Sequence, residues 1–549
     1  MEALIILKIT RYRIVLGFRY EYNRIKVKFL KMKWIKGCVD LAFVDKFEEN
    51  IEKLENVYDL VSFCYDFLME QVANETAFLA NYIFQNEEAR TFNQNLKLLE
   101  AFQGQVMEIL KQQDKNGYIF QQCRVELLPL SQIISKQLKT YMDSKLNDAT
   151  IPFFILMAVN IYVLEKRGKC KSPGPLNMQY QEKSYVYLNI NESILQEAAY
   201  VLGFGQPIQN ETIRKQLGNL HILQKDELRP NSEPVKIVQF SILEDDKDRQ
   251  KILNTKKLKI AVIPFGREKM LEFPMESGAA FNVAYNEWHK KFGIKRALRL
   301  LEEAIKKQAN IIIFPEYICS EEIQSKIQKY LQEKMDKNSS TLERLLLVVA
   351  GTAWTFDNNN VSILYQYNGK QLGKQYKGEC FSDLKKEKRE MIENLSQPGK
   401  ENIIVDINGI GKIMVAICRD VSNRGYLRNM TEIFKPQFLF VPAWSPSVNK
   451  GFREQLKEIT SFNYCTCAIV CNCCEALESS ASFKKENGVA VTPYKVGSVV
   501  EGKEHIIYRK ENKCSELCEG SGCFFMIEQD FSNEAVQEGK IIRKMSQYF

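Results

Sequence analysis

A chain of 549 residues exceeds what one hydrophobic core usually organises, so at least two domains are expected. Hydrophobic residues at 45% and charged residues at 26%, with a mean hydropathy of -0.29, exclude a disordered or fibrous chain. The net charge of +8, from 76 basic and 68 acidic residues, permits contact with nucleic acid or an acidic surface without requiring it. Fifteen cysteines with no secretory signal ahead of them point to a reducing, cytoplasmic setting. The longest apolar run, Ile151 to Leu164, contains Pro152 and Asn160 and is shorter than the ~20 residues that cross a bilayer, so no membrane span is expected.

Residues 1–41 form a basic, strand-like segment: Lys8, Arg11, Arg13, Arg19 and Arg24 are among many cations set against only Glu2, Glu21 and Asp40. Ile25 to Phe29 alternate as a strand does. A solvated sheet face is the simpler reading, with a nucleic-acid or protein contact surface as the alternative. Residues 42–228 read as a mostly helical domain, because Phe47, Ile51, Leu54, Val57 and Leu60 recur at helical spacing and Pro129 alone interrupts the stretch from Phe43 to Lys145. Residues 229–257 turn polar, with Pro230, Pro234 and the acidic run Glu244, Asp245, Asp246, Asp248; a solvated linker is expected there rather than a metal site.

From residue 258 to 549 short apolar strands alternate with amphipathic helices, the texture of an α/β domain. Strands are expected at Lys259 to Pro264, Ile311 to Phe314, Leu345 to Ala350, Ser362 to Tyr367, Ile403 to Ile407, Lys412 to Ile417, Phe438 to Val441, Ala468 to Cys471 and Cys523 to Ile527. Ile294, Ala297, Leu298, Leu301 and Ile305 define a helix face, and Asn368-Gly369 signals a hairpin turn.

Three residues stand just past the ends of such strands, where side chains from separate strands can meet in one pocket: Glu316, Lys377 and Cys418. Each alone has an ordinary structural reading. Their order and settings, Phe314-Pro315-Glu316, Gln375-Tyr376-Lys377, Pro398-Gly399, Ile417-Cys418-Arg419-Asp420 and Val441-Pro442, resemble the nitrilase or carbon–nitrogen hydrolase superfamily. The resemblance extends over residues 256 to 530 and includes a helix from Phe452 to Asn463 and a strand ending at Asn472. It implies a four-layer α-β-β-α sandwich for the C-terminal domain, preceded by the mostly α-helical N-terminal region.

The resemblance also implies chemistry that suits these residue types. Glu316 would take the thiol proton, Cys418 would attack an amide or nitrile carbon, and Lys377 with the backbone N–H after Cys418 would stabilise the tetrahedral intermediate. Glu316 would then serve as acid and base in turn. No cofactor and no metal are required. Lys374, on the opposite face of its strand by alternation, ranks second to Lys377.

Several features depart from the family pattern. Gly378, Glu379 and Cys380 stand where relatives often carry a histidine-leucine pair. Glu390 and Glu393 both precede Pro398-Gly399, and spacing does not decide which supports the lysine. Arg419 follows the cysteine and could read a carboxylate or phosphate of the substrate, or pair with Asp420. Trp444 opens the loop from Ala443 to Gly451, a substrate-contacting position.

The chain has only three histidines, His221, His289 and His505, which poorly supply a histidine-rich metal site; His289 is a candidate substrate contact, with solvent exposure the simpler expectation. Cys465, Cys467, Cys471, Cys473 and Cys474 read as packing around a buried strand, whereas a zinc site at Cys514, Cys518 and Cys523 lacks paired spacing. The expected function is an amide or nitrile hydrolase, with N-acyl transfer through the same thioester and a catalytically altered interaction module as alternatives. A homo-oligomer is expected from the habit of relatives.

Overall fold

The computed structural model describes residues 4–9, 12–17, 50, 54, 57–71, 104–111, part of 152–163, 178–180, 184–188, 220–229, 232–275, 280–336, 342–384, 390–445, 448–462, 466–474, 486–496, 499–508, 524–530 and 545–547. The chain divides into two compact units, one of residues 1–165, 179–181 and 200–220, the other of 166–178, 182–199 and 221–549. In the first, Leu4–Ile9 and Tyr12–Gly17 pair as an antiparallel hairpin, and Val57–Gln71 is a helix with buried Val57, Leu60, Val61 and Leu68. The alternation expected at Ile25 to Phe29 and the cysteines at 514, 518 and 523 lie outside the described residues.

The division falls at 220/221, with earlier pieces also joining the second unit. The physical reason is packing. Tyr187 and His221 set their rings 5.2 and 5.6 Å from Phe434 of the second unit.

The second unit runs in chain order through β1 (Lys236–Phe240), α1 (Lys247–Thr255), β2 (Lys257–Val262), β3 (Ala280–Phe281), α2 (Ile294–Lys306), β4 (Ile311–Ile313), α3 (Glu321–Asp336), β5 (Leu347–Trp354), β6 (Asn360–Gln366), β7 (Gln371–Tyr376), β8 (Ser382–Leu384) and β9 (Glu390–Glu393). It continues through β10 (Ile403–Ile407), β11 (Gly411–Val415), α4 (Arg424–Phe434), β12 (Phe438–Ala443), α5 (Val448–Phe462), β13 (Cys467–Asn472), β14 (Glu486–Val496), β15 (Val499–Tyr508), β16 (Phe525–Asp530) and β17 (Met545–Gln547).

Among the described residues two seven-stranded mixed sheets organise this unit, in the orders β7-β6-β5-β4-β2-β16-β17 and β15-β14-β13-β12-β11-β10-β1. Each has a parallel centre, with β2, β4 and β5 in one and β11, β12 and β13 in the other. Apart from Lys257 and Lys259 at the start of β2, those central strands are buried along their length, as parallel strands covered on both faces must be. The two sheets touch through side chains such as Cys471, whose Sγ lies 3.4 Å from the Ile313 carbonyl. A three-stranded sheet β8-β9-β3 stands apart from both.

Residues 229–257 are not the expected linker. Ile237 to Phe240 of β1 pair in parallel with Ile404 to Ile407, which makes this segment the edge of the second sheet. The acidic run starts a helix instead of floating in solvent: the Asp246 carboxylate caps α1 by accepting from the Arg249 amide at 3.1 Å. The long hairpin β14–β15 is absent from the sequence-based strand set. Among the described residues no helix is long and apolar enough to cross a membrane.

Candidate active site

The two sheets bring their strand ends together. Glu316 follows β4 and Lys377 follows β7 in one sheet, while Cys418 follows β11 and Trp444 follows β12 in the other. Pro315 ends β4, and the strand hydrogen bonds give way to a bent segment in which Tyr317 adopts a left-handed φ of +62°. Cys418 opens a short 3₁₀ turn with φ +44°, a conformation that costs a non-glycine residue of order 1–3 kcal/mol and clusters at functional sites.

Glu316 and Lys377 are sealed from solvent, and Cys418 is nearly so. The Lys377 ammonium donates to Glu316 Oε1 at 2.8 Å and lies 2.6 Å from Glu393 Oε2. The amide of Asn360 bridges the two carboxylates, donating to Glu316 Oε1 at 2.9 Å and Glu393 Oε1 at 3.2 Å. Tyr317 donates its hydroxyl to Glu393 Oε1 at 2.8 Å, the Phe381 amide donates to Glu393 Oε2 at 2.9 Å, and the Trp444 amide donates to Glu316 Oε2 at 2.8 Å. The Cys418 Sγ sits 3.9 Å from the Trp444 carbonyl.

The ionisation equilibria follow from burial and these charges. Burial raises the Glu316 carboxyl above its ordinary value, Glu393 adds to that, and Lys377 opposes it. Burial alone would favour a neutral lysine, but the two carboxylates overcome it and keep Lys377 well above the ordinary lysine range. Burial and then the Glu316 charge push the Cys418 thiol well up, with Lys377 partly offsetting them. The resting constellation is therefore a thiol beside a carboxylate–ammonium–carboxylate cluster.

Of the residues marked in the sequence, Glu316, Lys377, Cys418, Glu393 and Trp444 are brought together. Glu390 lies on β9 with Glu393, three residues away; it is Glu393 that reaches the lysine. Lys374 is half-buried within β7, while Lys377 is buried. Arg419 points to solvent, and the partner of Asp420 is Arg229 at 3.1 Å rather than Arg419. His289 is not exposed: it is 2% accessible, donates Nε2–H to the Ile318 carbonyl at 2.8 Å and is held neutral by burial, which lowers its pKa. Cys467, Cys471, Cys473 and Cys474 are buried, and among the described residues no group of three or more His, Cys, Asp or Glu could hold a metal.

Sequence reasoning missed Tyr317 and Asn360. Tyr317 had the signal of adjacency to Glu316. Asn360 had none, since it opens a strand of ordinary composition.

No family model matches the chain, and no curated protein matches it. Solved structures do. Saccharomyces cerevisiae Nit3, a member of branch 10 of the nitrilase superfamily, aligns at 19% identity over 45% of this chain and 89% of its own, with a TM-score of 0.29. The C. elegans NitFhit protein aligns at 17% identity over 46% of this chain and 61% of its own, with a TM-score of 0.30. The amidase from Nesterenkonia sp. AN1, in a form showing Michael addition of acrylamide at its active site cysteine, aligns at 12% identity over 46% and 93%, with a TM-score of 0.29. These three solved structures are nitrilase superfamily members, matched over about 45% of this chain's length.

Proposed function

We propose that the second unit is a carbon–nitrogen hydrolase that cleaves an amide, or a nitrile, through a thioester on Cys418, and that its two sheets with their helices form a four-layer α-β-β-α sandwich. The observation that carries the reading is the meeting of a buried thiol with an ammonium held between two carboxylates, the thiol, the ammonium and Glu316 at strand ends of the two large sheets and Glu393 at the end of β9 in the small one. In this scheme Glu316 takes the Cys418 proton and the thiolate attacks the carbonyl carbon. Lys377 stabilises the oxyanion, and Glu393 and Asn360 hold the ammonium and carboxylate in place. The C–N bond breaks as Glu316 protonates the departing ammonia or amine. Water, deprotonated by Glu316, then opens the thioester and releases the acid.

The surroundings favour an uncharged substrate with an apolar acyl group. Phe273 lies 6.5 and 6.4 Å from the rings of Tyr317 and Trp444, and Phe281 lies 6.4 Å from Phe381, so aromatic rings gather around residues that contact Glu316 and Glu393. Arg419, being exposed, is not placed to read a substrate carboxylate.

The test is intact mass after incubation with aliphatic and aromatic amides and nitriles, together with ammonia release. An acyl adduct on Cys418, absent in Cys418→Ala, is expected. The reading is lost if no adduct forms, no ammonia or amine appears, and Cys418→Ala leaves thiol labelling unchanged. Transfer of the acyl group to added amines in preference to water would move the assignment to an N-acyltransferase.

A further inference from the structure

Asp420, two residues past the cysteine, is buried at 2% accessibility. Its Oδ2 accepts from the Ile417 amide at 2.9 Å, immediately before Cys418. Its Oδ1 accepts from the amides of Gly378 and Glu379 at 2.8 and 2.9 Å, immediately after Lys377. One carboxylate therefore ties the strained turn that carries the thiol to the strand end that carries the ammonium.

That carboxylate is itself held from a distant point in the chain. Arg229 donates Nη2–H to Asp420 Oδ1 at 3.1 Å and approaches Glu379 Oε1 at 3.6 Å. Its guanidinium lies 4.0 Å above the Tyr426 ring, and its side chain is 8% exposed. The site is shaped for it: a Cβ at Gly378 would overlap the guanidinium, and one at Gly399 would lie 2.7 Å from Arg229 Cδ. The Ser232 hydroxyl, three residues on, donates to the Gly399 carbonyl at 2.8 Å and fastens the arginine segment to the same loop.

We propose that Arg229 and Asp420 are positioning residues, a buried ion pair that sets the separation of the Lys377 ammonium and the Cys418 thiol. Removing the guanidinium leaves a buried carboxylate without its cation, and the carboxylate turns toward water and releases the amides it held. The lysine strand end and the cysteine turn then move independently. Arg229 touches the scaffold around the reactive groups, so its loss acts on the chemical step more than on substrate binding. The kinetic consequence rests on the hydrolase reading, whereas the clamp itself does not.

The experiment compares full-length wild type with Arg229→Gln, Arg229→Lys and Asp420→Asn, each held well below its own melting temperature. Hydrogen exchange is read on peptides covering 376–382 and 415–420. In Arg229→Gln the amides of Gly378 and Glu379 should exchange at least about tenfold faster, the scale of one lost charge-assisted hydrogen bond. Acylation of Cys418 by an amide substrate should slow by about 100-fold with KM changed less than about twofold, as for a reacting pair misplaced by about 1 Å.

Arg229→Lys should be intermediate, because it keeps the charge and loses the planar stack on Tyr426. Millimolar guanidinium should restore part of the rate to Arg229→Gln. If Arg229→Gln does not fold, Arg229→Lys carries both readouts. Unchanged exchange at Gly378 and Glu379 in a folded variant overturns the clamp. A lower melting temperature with wild-type kcat, or a loss confined to KM, reduces the pair to a stabilising ion pair. Should wild type form no acyl adduct with any amide, the hydrolase reading fails alone, and the exchange measurements still decide the clamp.

Discussion

Glu316 acts on Cys418 in two opposed ways, and that opposition is testable. Its charge is one of the influences that raise the thiol, second to burial, yet in the proposed scheme it is the base that removes the thiol proton. Glu316→Gln is expected to cut turnover by about 10²–10⁴-fold, the usual worth of a general base, without slowing alkylation of Cys418 by iodoacetamide. Peptide mass spectrometry follows the alkylation, and turnover that stays within about twofold of wild type would remove Glu316 from the base role.

The pH dependence has a defined sign. Burial lifts the Glu316 carboxyl above its ordinary value of 4.5, so the ionised base is lost as pH falls through a point above that value. The acid limb of kcat/KM should therefore lie above 4.5. A limb centred below 4.5 would contradict the assignment. Glu393→Gln should lower kcat by about tenfold or more by removing a partner of the buried lysine, while Glu390→Gln should stay within about twofold of wild type.

At the scale of elements, the chemistry depends on irregularities in the strands. The pairing of β5 with β6 shifts register between Val349 and Thr352, and Gly351 within that bulge has φ +62°. The bulge turns Thr352 toward the bend after β4, where its Oγ1 accepts from the Tyr317 amide at 2.8 Å and its amide donates to the Pro315 carbonyl at 3.1 Å. A Cβ at 351 would overlap that same carbonyl and lie 2.9 Å from Cys319 Sγ. Gly351→Ala should thus cost about 2 kcal/mol or more, read by denaturant unfolding, and depress activity by displacing Glu316. A variant as stable and active as wild type would show that the bulge is incidental.

For the whole molecule, the instructive segment is the one whose polar composition suggests a linker. Val235 is fully buried, β1 completes the second sheet, and Arg229 reaches Asp420 across 191 positions of sequence. A chain beginning at Lys257, which matches the texture change in the sequence, should lose its cooperative thermal transition and its near-ultraviolet circular dichroism. A cooperative transition like that of the full chain would show that β1 and Arg229 are dispensable.

Much of the second unit is readable from sequence because its signals are local. Apolar runs such as Ile311 to Ile313 and Phe438 to Ala443 have to be buried strands, and the ends of those runs mark Glu316 and Cys418. Lys377 follows from the hairpin at Asn368-Gly369, whose glycine takes φ +78°. Tertiary structure alone decides the rest, because it depends on which distant groups share one desolvated space. Burial beside Lys377 brings Glu393 to the ammonium and makes Asn360 the bridge between two carboxylates, while Arg419 is left in solvent. It also draws Arg229 out of a polar stretch to neutralise Asp420: a buried charge requires a partner, and sequence spacing cannot say from where in the chain that partner comes.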